Sequence, residues 1–180
     1  MQKIYPSIPV LKEDEGKIVE ISYKPEAKYL FSAGQAISRF LNELKNGRII
    51  GRKCFKCNRI LVPPRMYCEI CFKATDEWVY VRDVGKVVTA VVSYITVDVR
   101  RAEKPVVVGI IEFLDAPTQG IFHRINVNPE YVINRKIFGI TVKAVWKKEN
   151  ERKGDINDIL YFEPIEEIKL ATKKRLIWIN

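Results

Sequence analysis

Four cysteines, all that the chain contains, fall in two pairs of identical spacing: Cys54-Phe55-Lys56-Cys57 and, after ten further residues, Cys68-Glu69-Ile70-Cys71. Two C-x-x-C turns at this separation can bring four thiolates to the corners of a tetrahedron, the geometry of a structural zinc site. The spacer Asn58 to Tyr67 is long enough for a short strand and its return, as in a rubredoxin-like zinc ribbon. Four thiolates fill the coordination sphere and leave no position for water or substrate, so the expected zinc is a folding staple and not a catalytic metal. Two disulfides and an iron centre are the competing readings. Nothing in the sequence suggests secretion, and disulfides are rare in the cytosol. Iron knuckles commonly carry Gly after the second Cys of each pair, where this chain has Asn58 and Phe72. The chemistry favours zinc.

The net charge is +9, and its distribution says more than its size. Residues 1–47 carry seven basic and six acidic groups, and residues 76–180 carry seventeen and fifteen. Residues 48–75 carry Arg48, Arg52, Lys53, Lys56, Arg59, Arg65 and Lys73 against Glu69 alone. A zinc–tetrathiolate centre offsets part of this excess and leaves about +4 on the module. One reading is neutralisation of the anionic metal centre; the sharper one is an anion-binding face for phosphates.

A hydrophobic fraction of 47% with 29% charged residues reads as a soluble, globular chain. No apolar run approaches the ~18 residues of a membrane span. The first residues lack the basic and apolar regions of a signal peptide, and the expected location is the cytoplasm. Abundant Ile, Lys, Arg and Glu with few Met, Cys and His are compatible with a thermophile.

Between Glu26 and Asn46, Leu30, Ala33, Ile37, Phe40, Leu41 and Leu44 recur at three-to-four spacing before Gly47, predicting an amphipathic helix with a Gly stop. Lys17 to Tyr23 reads as a strand. After Cys71 the pattern becomes β-rich: Trp78–Val81, Lys86–Val97, Pro105–Leu114, Ile121–Val127, Ile137–Trp146 and Ile159–Phe162, with a helical turn at Asn128-Pro129 and a polar hairpin over Lys147–Asp158. Short strands in this number predict a small barrel, and a five-stranded OB-fold fits the length. The expected organisation is an N-terminal helical segment (1–47), a zinc ribbon (48–75), an OB-fold barrel (76–166) and a C-terminal tail (167–180) whose apolar end covers a barrel edge or, as the alternative, docks on another subunit.

Taken together, these residues resemble the zinc-ribbon and OB-fold family catalogued as domain of unknown function thirty-five and described as acyl-CoA-associated. The match runs through Gly51-Arg52-Lys53-Cys54-Phe55-Lys56-Cys57, Val62-Pro63-Pro64-Arg65 before Cys68-Glu69-Ile70-Cys71, Gly85-Lys86-Val87, Pro105 to Phe113, Phe138 to Val142 and Tyr161-Phe162-Glu163-Pro164. It covers roughly residues 30–166, with the Cys–Pro-Pro-Arg–Cys block as its most specific part. Asn58, Glu69 and Asp83 depart from the family's usual Gly, Pro and Gly. The resemblance implies an accessory role beside thiolases, hydroxymethylglutaryl-CoA synthase or MaoC-like hydratases, with the ribbon and barrel helping to house CoA. On that reading Arg52, Lys53, Lys56, Arg59, Arg65 and Lys73 are candidates for the CoA phosphates. Phe55, Tyr67 and Phe72 are either adenine-stacking groups or, with more weight, the ribbon's small core.

Catalysis by the chain alone is not expected. His123 is its one histidine and reads as structural, zinc consumes every cysteine, and Gly-rich phosphate loops are absent. Asp83, Asp98, Glu103, Glu112 and Asp115 have no nucleophile or open metal to serve. The alternative function is single-stranded nucleic-acid binding, with Trp78, Tyr80 and Tyr94 as a stacking platform. The near-neutral balance of residues 76–180 argues against it.

Overall fold

The computed structural model of the chain describes residues 27–95 and 100–165. The strand expected over Lys17–Tyr23 and the tail from residue 166 onward lie outside them. The chain divides into two units, Met1–Ser32 and Ala33–Asn180. In the first, residues 27–32 form no regular secondary structure, and the rings of Tyr29 and Phe31 lie 5.9 Å apart.

The second unit begins with helix α1, Gly34–Lys45, which buries Ala36, Phe40 and Leu44. It starts later than the apolar spacing predicts, because Gly34 has φ +68° and turns the chain out of helical geometry. It ends as predicted. Gly47, at φ +70°, donates its N–H to Leu44 O at 2.9 Å while Arg48 N–H reaches Glu43 O at 2.9 Å. These two bonds are the Schellman arrangement that satisfies the last carbonyls of a helix.

Strand β1, Ile49–Cys54, follows at once and lies between β2, Arg59–Leu61, and β5, Glu77–Val81. Between β2 and β5 a second, smaller hairpin is formed by β3, Tyr67–Cys68, and β4, Lys73–Ala74. Trp78 and Tyr80 therefore stand opposite Arg52 and Ile50 of β1, in the ribbon sheet. Gly51 is required by close packing, since a Cβ there would sit 2.8 Å from Ile60 and 2.9 Å from the Leu61 carbonyl.

Five further strands close a barrel: β6, Val84–Ile95; β7, Arg101–Phe113; β8, Ala116–Ile125; β9, Thr141–Trp146; and β10, Ile159–Pro164. Their order is β10-β8-β7-β6-β9, with β8 and β10 parallel and every other neighbour antiparallel. Numbered from β6, this is a 1-2-3-5-4 barrel, the five-stranded OB arrangement that the length of the β-rich region fits. Strand β9 begins at Thr141 and not at Ile137. Gly139, at φ +77°, breaks the run and donates its N–H to Val87 O at 2.8 Å, while Ile137 is fully buried.

The connection from β8 to β9 carries a short helix α2, Pro129–Ile133, with Asn128 accepting the Glu130 N–H at its start and Pro129 in the first turn. Two 3-10 turns, Glu149–Glu151 and Ile156–Asp158, shape the polar hairpin before β10. One apolar core runs through the unit: Phe40 and Leu44 of α1 and Ile49, Ile50, Val62 and Val81 of the ribbon join Ile111, Phe113, Ile125, Val142 and Phe162 of the barrel. Ribbon and barrel are thus stabilised by the same buried surface.

Candidate metal centre and its basic surround

The hairpin turns β1–β2 and β3–β4 each carry one C-x-x-C pair. Together they gather Cys54, Cys57, Cys68 and Cys71 so that all four Sγ atoms lie within 4.8 Å of one another. Cys54 and Cys68 are buried, Cys57 and Cys71 half-buried, and the Cys57 and Cys68 sulfurs approach to 3.6 Å. The residues that follow each pair, Asn58 and Phe72, have φ +56° and +50°. These are the places where knuckles of this kind favour Gly, and the backbone shows why: each turn needs a left-handed residue. Asn tolerates that conformation; Phe does so at a cost.

The donor set itself calls for a cation. Backbone N–H groups of Cys57 and Lys56 draw the Cys54 thiol down to about 7 against the effect of its burial. Burial first, then hydrogen bonding and charge from its three neighbours, pushes Cys71 up to about 12. Four sulfurs this close cannot all ionise beside one another without a positive ion between them. A tetrathiolate site of this size fits one structural zinc with no open coordination position. Zinc there holds the two turns together, and the rubredoxin-like fold of the ribbon agrees with that role.

The six predicted phosphate contacts occupy different environments. Arg52 is 7% exposed; its Nε donates to Thr75 Oγ1 at 3.0 Å, a second guanidinium nitrogen bonds the Thr75 carbonyl, and Trp78 lies 4.8 Å from its Cζ. Thr75 in turn donates to Arg65 O at 2.8 Å. Arg52 is therefore a strut inside the ribbon that ties β1 to the chain after β4. Arg59 pairs with Glu69 at 3.0 Å, Arg65 approaches the same carboxylate at 4.0 Å, and Lys73 pairs with Asp76 at 3.2 Å. Glu69 is held ionised below its ordinary range by its own N–H, against its burial, and then by Arg59. Lys53 and Lys56 have no carboxylate partner among the described residues. Asp76 accepts the Phe55 N–H at 2.7 Å, which clamps the first knuckle onto the start of β5.

The aromatic groups depart from the expected ribbon core. Phe55, Tyr67 and Phe72 are 60%, 70% and 89% exposed, and Ile70 is 60% exposed. The metal cluster occupies the centre of so small a module, and the side chains beside the cysteines are turned outward. The proposed stacking platform is not a single surface either. Trp78 faces the guanidinium groups of Arg39 and Arg52, Tyr80 lies under Arg48 and donates to Glu43 at 3.2 Å, and Tyr94 sits on the barrel strand β6.

Of the remaining titratable candidates, His123, Asp83 and Asp115 have structural partners. His123 Nε2 donates to Ile156 O at 3.2 Å and its ring packs on Phe162 at 5.6 Å. Asp83 accepts Trp146 Nε1–H at 3.1 Å, and Asp115 is gripped by the Arg82 guanidinium and N–H; Asp98 lies outside the described residues. Sequence reasoning missed Asp158. It is fully buried and accepts the N–H groups of Lys153, Gly154 and Asp155 at 3.0, 2.7 and 3.1 Å, organising the hairpin before β10. Its only sequence signal is the Asp155-x-x-Asp158 spacing of a capping box. A shallow cavity of about 280 Å³ is lined by Gly47, Arg48, Ile49, Tyr80, Val81, Arg82 and Asp83, and includes none of the cysteines. Among the described residues no helix is long and apolar enough to cross a membrane.

Residues 41–77 match the rubredoxin-like zinc ribbon domain of ChsH2. Among solved structures, a protein of unknown function from the DUF35 family of Sulfolobus solfataricus is 26% identical, covering 73% of this chain and 85% of that one, with a TM-score of 0.53. The Ltp2-ChsH2 (DUF35) aldolase is 20% identical, covering 75% of this chain and 98% of that one, also with a TM-score of 0.53, and is a likeness of fold. No curated protein matches the chain in sequence. The ribbon match, the four-thiol cluster and these structural neighbours make the chain similar, in its ribbon and in its fold, to zinc-ribbon proteins of the DUF35 family.

Proposed function

We propose that this chain is a non-catalytic, zinc-binding accessory subunit of an acyl-CoA-processing enzyme, of thiolase or hydroxymethylglutaryl-CoA synthase type, working in the cytoplasm. The observation that carries this reading is the closed tetrathiolate cluster set in a strongly basic module. A metal without an open position performs no chemistry, while the surrounding cations suit an anionic ligand. Cys54, Cys57, Cys68 and Cys71 hold the zinc. Lys53 and Lys56 meet the diphosphate of CoA as point charges, with Arg59, Arg65 and Lys73 available once their acidic partners are displaced. Arg52 supports that face from beneath. The structural neighbour that joins a DUF35 chain to an aldolase favours an enzyme partner. Nucleic-acid binding has less support, because the rings of Trp78 and Tyr80 face arginines.

Calorimetric titration of the full chain with CoA, an acyl-CoA and a short single-stranded oligonucleotide, each at two salt concentrations, tests the reading. Saturable CoA binding that Lys53→Ala or Lys56→Ala weakens severalfold supports it. Oligonucleotide binding with a steep salt slope, and none to CoA, overturns it.

A further inference from the structure

Four exposed apolar side chains of the ribbon are chain neighbours of metal-site cysteines. Phe55 follows Cys54, Tyr67 precedes Cys68, and Ile70 and Phe72 flank Cys71. Because the four sulfurs lie within 4.8 Å of one another, the covalent chain gathers these four groups around one tip of the ribbon. At exposures of 60–89% they present on the order of 500 Å² of apolar surface, taking 150–250 Å² per aromatic side chain. So much exposed apolar surface on one small module is unusual where no partner covers it. It approaches the roughly 800 Å² that each side of a standard protein interface buries. A single adenine ring covers one such side chain, not four.

The patch also has a sign. Lys53 reaches to within 5.8 Å of the Phe55 ring and Lys56 stands inside the first knuckle, while Lys73, which follows Phe72, is paired with Asp76. Two copies of this tip would repel each other. Phe72 adds a further argument: it holds a left-handed backbone, φ +50°, that Gly would adopt without strain, yet carries the most exposed side chain of the four.

We infer that the ribbon tip formed by Phe55, Tyr67, Ile70 and Phe72 is the seat of the chain's enzyme partner, and that the partner offers it an apolar recess with an acidic rim. This inference rests on the accessory-subunit reading and names its contact surface. The side chains act as anchors, Lys53 and Lys56 steer the encounter, and the zinc sets the spacing of the anchors.

The test places a photoreactive benzoylphenylalanine at position 72, and separately at the exposed barrel positions Tyr94 and Phe122, in the full zinc-loaded chain. Each is irradiated in a lysate of the cells that make the protein, and the adduct and its peptide are identified by mass spectrometry. The identified protein is then purified and titrated against wild type, Ile70→Ser and Phe72→Gly. The expected result is one protein crosslinked from position 72 through an acidic, apolar peptide, and at least tenfold weaker binding by both variants with one zinc per chain retained. Phe72→Gly relieves the left-handed strain, so its loss of binding cannot be ascribed to misfolding. Crosslinks from Tyr94 or Phe122 but none from position 72 overturn the inference and leave the accessory reading standing. Adducts between copies of the chain, or binding indifferent to both variants, also overturn it. No protein adduct from any of the three positions overturns the accessory reading as well.

Discussion

The hydroxyl of Thr118, on the barrel strand β8, donates to the carbonyl of Ile60, on the ribbon strand β2, at 2.9 Å. These residues are 58 positions apart in the chain, and their bond crosses from one sheet to the other. It lies beside the shared core of Val62, Ile111 and Ile121, so the zinc ribbon is fastened to the barrel by apolar burial and by this polar pin. Thr118→Val removes the donor while keeping the shape and leaves a half-buried carbonyl without its partner. The expected loss is about 1 kcal/mol. Urea unfolding checks it: the midpoint should fall while the slope stays constant.

Cys57→Ser should release the metal and unfold the ribbon, because metal binding and folding are coupled in a site built from two short hairpins. Since the ribbon's Ile49, Ile50 and Val62 belong to the common core, the barrel loses stability too. The melting temperature is expected to fall by at least about 10 °C. Metal content by plasma emission spectrometry and a melting curve decide the matter: one zinc per chain with native melting would refute the staple.

Arg52 is the ribbon's internal strut, so Arg52→Lys should behave as a structural lesion. Lysine keeps the charge but cannot make the paired contact with Thr75 or lie flat against Trp78. The expected cost is about 2 kcal/mol. CoA affinity, measured at a temperature where the variant is folded, should stay within about twofold of wild type. A tenfold loss would return Arg52 to the ligand face.

The Arg82 side chain, helped by its backbone N–H, draws the Asp115 carboxyl down to about 2, against the effect of its burial. A carboxyl whose folded value lies below its unfolded value near 4 stabilises the fold above that pH and loses the contribution as pH falls toward 2. Wild type should therefore melt above Asp115→Asn at pH 6, and the gap should close between about pH 4 and pH 2. Melting curves across that range test it; a gap independent of pH would show that the ion pair is not its source.

How much of this was legible beforehand depends on the range of the interaction. The metal cluster follows from covalent spacing, and the helix stop follows from Gly47, whose backbone adopts φ +70°. The five barrel strands follow from local β-rich runs, although β9 starts four residues late because Gly139 and a buried Ile137 serve the packing. Apolar spacing places the start of α1 too early, because Leu30 and Ala33 keep the helical spacing while Gly34 leaves the helical backbone. The functional surface was the least legible part. A basic residue in a sequence shows its charge and not its partner, so Arg52, a buried strut, and Lys56, exposed, looked alike.

The sequence by itself determined the metal chemistry, the basic character of the ribbon and the order of its β elements, because these depend on residue type and on spacings of a few residues. Tertiary structure decided which cations face solvent, which aromatic groups are exposed and how ribbon and barrel share one core. Those depend on contacts such as Thr118 with Ile60, or Arg52 with Thr75, between residues far apart in the chain. The physical reason is that burial and pairing belong to surfaces formed only when distant strands meet, and no local pattern carries them.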